Sequence, residues 1–373
     1  MRRKRSHSWW DSLSKEWKRH LLDNCGYSEK SVTEENLSSV INQVLCITHL
    51  HLGGNYTNAY IDTLEPLRRL TYLEDLDCSF QEFSSFESLS QLQYLKTIEA
   101  SDIHANDYKY LSGLNNLKIF SVACYRPASI APLAQLPQLQ QLTCELNTLL
   151  HEPGKGMEEL ALFTQLQKLS CGYNKVVTSL HFLREYTQLQ QLSIRLSLIE
   201  KLSGIEVLNG TLEHLDAANS RLQTLEGIQE LKTLKKLNLK QSPITSLEPL
   251  VHLPQLTHLD LDEVKPISFA FLKELSQLQE VTLTLMQDVE LPDLGHLSSL
   301  KSLTIDTKED IVLSWLGKLT QLEYLSLPEA LVEKYFSVIR EMKTLRKVRL
   351  GGVIPSGEIE RRLKEALPLY MVF

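Results

Sequence analysis

The sequence predicts an α/β solenoid. One short parallel strand per repeat stacks into a β-sheet on a concave face. 3₁₀ or extended segments return the chain on the convex face, and a helical N-terminal cap closes one end. Three observations carry this prediction. The motif apolar-x-x-apolar-x-apolar recurs from Ile47 to the C-terminus. Its 15 copies keep a tight register: of 14 gaps, nine are 22 residues, three are 23, and the others are 26 and 27. Each copy is also followed by a second apolar series, clearest in Ile244, Leu247, Leu250 and Leu253. A fixed period in this range marks a repeat array rather than a string of compact domains.

The chain starts with Met1-Arg2-Arg3-Lys4-Arg5. No apolar stretch follows, so this is not a secretory signal, and Met1–Ser6 reads as a disordered basic tail. Trp9, Trp10, Leu13, Trp17 and Leu21 then fall at helical spacing. Ser31 with Glu34 three residues on forms a capping-box pattern ahead of Leu37, Val40, Ile41 and Val44. Residues 1–46 are therefore assigned to a basic tail and a helical cap, as an open stack needs its apolar end covered.

Residues 47–350 form the solenoid, with 14 repeats. In each motif the last two apolar positions are two apart, so they share one face of a strand. Examples are Leu76/Cys78, Leu237/Leu239 and Leu259/Leu261. The residues between and beside them point the other way. Parallel strands stack about 4.8 Å apart, and the return segments need more room, so the sheet should line the inside of a curve. A 22-residue repeat leaves little space for a full α-helix on the return. The i, i+3 spacing there suits 3₁₀ turns.

One gap of 27 holds His151-Glu152-Pro153-Gly154-Lys155-Gly156. Its glycines and proline mark a surface loop. Residues 351–373 are assigned to the C-terminal cap. Ile359, Leu363 and Leu367 ride a helix from about Gly357 to Ala366, and Leu367-Pro368 leads into a last strand ending at Phe373. Read this way, the chain runs complete from cap to cap.

Composition agrees. The chain has 373 residues, 43% hydrophobic and 23% charged, with 39 basic against 46 acidic residues for a net charge of −7. This acidic balance argues against nucleic acid as a partner, because phosphate binding needs a positive surface. No apolar run approaches a membrane span. The six cysteines show no CxxC pair. Cys78, Cys144 and Cys171 fill a slot where leucine sits in other repeats. They read as reduced, buried thiols in a cytoplasmic protein.

The repeated motif, with segments such as Ile61-Asp62-Thr63-Leu64-Glu65-Pro66-Leu67, resembles the leucine-rich-repeat family over roughly 330 of the 373 residues. It is similar to the 22-residue subclass found in internalins and in the leucine-rich regulatory subunit of protein phosphatase 1. The resemblance implies a right-handed superhelix that binds a protein on its concave face. It also implies a buried asparagine ladder behind the strands. Here the asparagine occurs as Asn55, Asn147 and Asn174, while Gln81, Ser197, Ser220 and Ser242 take the slot elsewhere, so the ladder should be partial.

No GxSxG, GxxxxGK[ST], HExxH or CxxC motif is present. The sharpest chemical candidate is His49-x-His51, whose side chains alternate with Leu50 and Leu52 and so face outward. The next strand brings Asp75 and Asp77 beside them, and the third brings Glu99. Such a group could bind a divalent ion and support a metal-dependent hydrolase. The same ladder geometry also arises in a plain polar surface. A second group is His214/Asp216, Lys236/Asn238 and His258/Asp260 with Asp262, read as a charged recognition surface.

The sequence therefore predicts a non-enzymatic scaffold that binds a protein through its concave face, without cofactor or metal. Tyrosine and arginine anchors usually dominate such interfaces. The candidate contact residues are Tyr125, Leu146, Tyr173, Arg195, Leu196, His214, Asp216, Lys236, Asn238, His258, Asp260 and Tyr324.

Overall fold

The structure is a computed structural model, described for residues 2–52, 60–124, 129–146, 155–174, 177–351 and 357–366. It contains fourteen strands in one open parallel sheet, ordered as in the chain. They are β1 (His49–His51), β2 (Asp75–Asp77), β3 (Thr97–Ser101), β4 (Ile119–Cys124), β5 (Gln141–Leu146), β6 (Lys168–Ser170) and β7 (Gln191–Ser193). The remainder are β8 (His214–Asp216), β9 (Lys236–Asn238), β10 (His258–Leu261), β11 (Glu280–Leu285), β12 (Ser302–Thr307), β13 (Tyr324–Pro328) and β14 (Lys347–Gly351). Each strand falls on the predicted motif. Paired strands align repeat on repeat, with Leu237 opposite Leu215 and Leu259. The fold is an α/β solenoid.

The chain divides into two units, Met1–Val176 and Val177–Phe373. In the first, α1 (Arg2–Ser12), α2 (Lys15–Asn24) and α3 (Leu37–Val44) form the cap. The apolar spacing from Trp9 to Leu21 is therefore carried by two helices, not one. Ser14 breaks the series: its side chain accepts from the Trp17 amide and starts α2 afresh. The basic start is helical from Arg2, which corrects the expectation of a disordered tail. The capping pattern is also displaced. Ser31 bonds back to Ser28 around a 3₁₀ turn, and α3 begins after Asn36, whose Oδ1 accepts from the Thr33 amide. Trp17 is buried, and its indole N–H donates to the Thr63 carbonyl at 3.0 Å. Asn24 donates to the His49 carbonyl at 2.9 Å, satisfying an edge group of β1.

Behind β2–β4, Phe83, Phe86, Tyr108 and Phe120 are buried, with ring centroids 5.4–6.4 Å apart. One buried leucine or aromatic per turn cannot desolvate itself, so each repeat relies on its neighbours. In the second unit the same role falls to leucines such as Leu215, Leu237 and Leu259 and to Phe269 and Phe271.

Ten return segments hold 3₁₀ turns, as predicted. Two hold helices instead: α4 (Lys155–Leu160), and the pair α5 (Glu329–Lys334) and α6 (Phe336–Ile339). These lie in repeats of 27 and 23 residues, but length alone does not decide it, since the other 23-residue repeats and the 26-residue one keep 3₁₀ turns. The C-terminal helix is α7 (Gly357–Ala366), with Ile359 and Leu363 buried. Residues 147–154, which include most of the predicted loop and Asn147, lie outside the described residues, as do Asn55 and the last strand after Ala366.

The asparagine slot works as a partial ladder. Asn174, Gln81, Ser197, Ser220 and Ser242 are all buried. Gln81 donates to the carbonyls of Leu52 and Ser79 and accepts from the Ile61 amide. Ser242 donates to the Ala217 carbonyl at 3.0 Å.

Candidate functional site: the strand face

The alternation along each strand exposes two columns of side chains. In the second unit the column Gln191, His214, Lys236, His258, Glu280 runs in register across β7–β11. Beside it run Ser193, Asp216, Asn238, Asp260 and Thr282. The structure thus brings together six of the predicted contact residues, His214, Asp216, Lys236, Asn238, His258 and Asp260.

Their geometry is fixed by local bonds. Asp216 Oδ1, Asn238 Oδ1 and Asp260 Oδ1 each accept the backbone amide two residues on, at 3.0–3.1 Å. This repeated Asx turn locks the carboxyl or amide at the strand end. Asp77 makes the same turn to Ser79. His258 is held between the Thr257 hydroxyl at 2.8 Å and Glu280 at 3.4 Å. Lys240 pairs with Asp262 at 2.6 Å, and Thr284 donates to the same carboxylate.

Partial burial shapes the titration. Desolvation lowers the His214 and His258 pKa values, and the ammonium of Lys236 between them works in the same direction. Burial raises the Asp260 pKa. Burial alone would raise Asp262 too, but its bonds from Lys240 and Thr284 bring it below its ordinary value. The face therefore carries two imidazoles of lowered pKa flanking one lysine, beside the carboxylates of Asp216 and Asp260 with Asn238 between them.

The remaining predicted contacts are spread out. Tyr324 lies on β13, with the Lys347 ammonium 5.5 Å from its ring centroid. Tyr173 and Leu196 are exposed and hold φ of 52° and 54° just past β6 and β7. Arg195 is half-buried beside Leu196. Leu146 closes β5 opposite Cys124, but its side chain, like Tyr125, lies outside the described residues. Ser326, which continues the Thr282 column by way of Thr304, is buried.

In the first unit His49 pairs with Asp75 at 2.9 Å and His51 with Asp77 at 2.6 Å. The ladder thus builds two separate imidazole–carboxylate pairs. Among the described residues no three His, Cys, Asp or Glu side chains are grouped to hold a metal ion. These pairs line a shallow pocket of about 360 Å³ with Asn24, Thr97 and Glu99.

The positive φ at one slot was not legible in the sequence, which singles out Tyr173 and Leu196 only as contact candidates. Phe80, Asp102, Tyr173, Leu196, Asn219, Gln241 and Glu263 occupy one slot of seven repeats, four residues past the central strand anchor. Their amides continue the ladder, as Phe80 to the Ser101 carbonyl and Leu196 to the Ala218 carbonyl. No residue type recurs there, so only the 22-residue phase could have located them.

Comparison with solved structures decides the fold's name. An internalin of Listeria monocytogenes superposes with a TM-score of 0.56 at 20% identity, covering 96% of this chain and 94% of that one. A Leptospira interrogans leucine-rich-repeat protein gives 0.60 at 21%, covering 90% and 86%.

This chain has the leucine-rich-repeat fold.

A third similar structure is the leucine-rich-repeat ectodomain of a plant membrane receptor kinase from Arabidopsis thaliana, in complex with Casparian strip integrity factor 2. It gives 0.50 at 15% identity, over 89% of this chain and 42% of that one. No family model and no curated protein matches the leucine-rich-repeat chain in sequence. Among the described residues no helix is long and apolar enough to cross a membrane.

Proposed function

We propose that the leucine-rich-repeat chain is a non-enzymatic scaffold that binds a protein partner through the strand face. One observation carries this reading. Across β7–β11 the leucines are committed to the core, while two parallel columns of half-exposed or exposed polar side chains are held at fixed register. Pre-ordered side chains lose little entropy on docking, which favours recognition. The column residues His214, Asp216, Lys236, Asn238, His258 and Asp260 are the central contacts. Arg195, Leu196 and Tyr324, in the same unit, act as outer anchors. That the Arabidopsis ectodomain was solved with a bound factor agrees with this use of the fold.

The compartment we assign is the cytoplasm. Cys78 and Cys171 are fully buried, which raises both thiol pKa values, Cys171 to about 12. Such thiols are inert packing groups.

The test is affinity capture with mass spectrometry, followed by titration of the purified partner. Wild type is compared with a His214→Ala/Lys236→Ala/His258→Ala variant and with Tyr324→Ala and Arg195→Ala. We expect the triple variant to weaken binding about a hundredfold, as for a hot-spot cluster. Unchanged affinity in all three variants rejects the strand face as the docking surface.

A further inference from the structure

The first unit carries an exposed aromatic set that the reading above does not use. Tyr60, Tyr72, Phe80 and Tyr94 are 52%, 57%, 52% and 57% exposed. Single exposed aromatics are ordinary, but four within 35 residues around the same three strands are not. Tyr72 and Tyr94 are one repeat apart, each just ahead of the first motif leucine, where the chain enters β2 and β3. Phe80 lies at the opposite rim, where the chain leaves β2. Its φ of 60° and its amide bond to the Ser101 carbonyl at 2.7 Å fix its backbone. Tyr60 precedes Ile61, whose amide is held by Gln81.

Between these rims the outward residues of β1–β3 are His49, His51, Asp75, Asp77, Thr97 and Glu99. No lysine or arginine lies on these three strands. Glu99 is exposed, and its strand neighbours are Asp77 and Ser121. The surface thus offers carboxylates in the middle and aromatic faces at two edges. A guanidinium or ammonium group matches both, pairing with the carboxylates and resting on the rings. An anionic partner would meet three carboxylates with only two imidazoles to offset them.

We propose that the face of β1–β3 docks a basic polypeptide segment, bearing arginine or lysine, laid from one aromatic rim to the other. From Tyr72 to Phe80 the chain spans at most about 26 Å at 3.3 Å per residue. An extended segment of eight or nine residues is therefore long enough to reach from rim to rim. This inference rests on the scaffold reading and specifies where one part of a partner sits and what charge it carries.

Fluorescence anisotropy of the full chain with a labelled nonapeptide of alternating arginine and serine tests it. The counter-probe is the same peptide with glutamate for arginine. The arginine peptide should bind saturably and the glutamate peptide should not. Tyr72→Ala/Tyr94→Ala should weaken binding about tenfold. Glu99→Gln should weaken it about threefold, and Lys273→Ala, on a return turn, should leave it unchanged. All four positions are exposed, so the variants fold, with an unchanged thermal midpoint as the control. Absent saturable binding, equal affinity of the tyrosine variant and wild type, or competition by the glutamate peptide overturns the proposal. If the arginine peptide fails while the triple variant still loses the captured partner, this inference falls and the scaffold reading stands.

Discussion

A single side chain in this molecule often serves a neighbouring repeat more than its own. Gln81 is the clearest case, since it satisfies Leu52 and Ile61 of the repeat before it. Replacing it by leucine strands a buried amide and a buried carbonyl. Gln81→Leu should therefore cost about 2–4 kcal/mol, read as a lowered urea midpoint. The ionisable residues set the pH response, and the sign follows from direction. The folded pKa of Asp262 is lowered, so its contribution is present above about pH 4 and lost as pH falls through the folded value. The folded pKa values of His214 and His258 are also lowered, so the unfolded chain takes up protons first on acidification from about pH 6.5. Stability should therefore fall between pH 7 and pH 5. The His214→Gln/His258→Gln variant should show a smaller fall in urea midpoint over that range, and an equal fall would refute the assignment.

At the level of the element, what could be read in advance was the set of residues that every repeat must bury. Leu76, Leu237 and Leu259 announced their strands because a two-residue spacing of apolar groups fits only one face of an extended chain. The Asp216, Asn238 and Asp260 column followed from that alternation. The left-handed backbone of the rims did not, because the slot of Phe80, Tyr173 and Leu196 is defined by conformation and accepts any side chain, even though Tyr173 and Leu196 stood out as contact candidates. Ser31 misled for a related reason: a serine with glutamate three residues on also suits an isolated turn, and the bonds to Ser28 took it. Glycine matters at Gly204, where φ is +99° and a Cβ would come within 3.2 Å of the Leu180 carbonyl. Gly204→Ala should cost about 1–3 kcal/mol and lower the thermal midpoint, whereas Gly113→Ala, with open space around it, should not.

For the whole molecule, stability is a sum of repeat and interface terms, so a lesion need not unfold everything at once. Leu237→Ala, deep in the second unit, should cost about 2–5 kcal/mol there. Hydrogen exchange should show faster exchange around β8–β10 with β2–β4 unchanged; uniform loss of protection would point to a single cooperative block. The central claim is that the outward columns are the docking surface. Hydroxyl-radical footprinting of the chain with and without its purified partner tests it most directly. The account predicts protection of His214, His258 and Tyr324 side chains on binding. Protection confined to the return turns, with those three side chains as reactive as in the free chain, would contradict it.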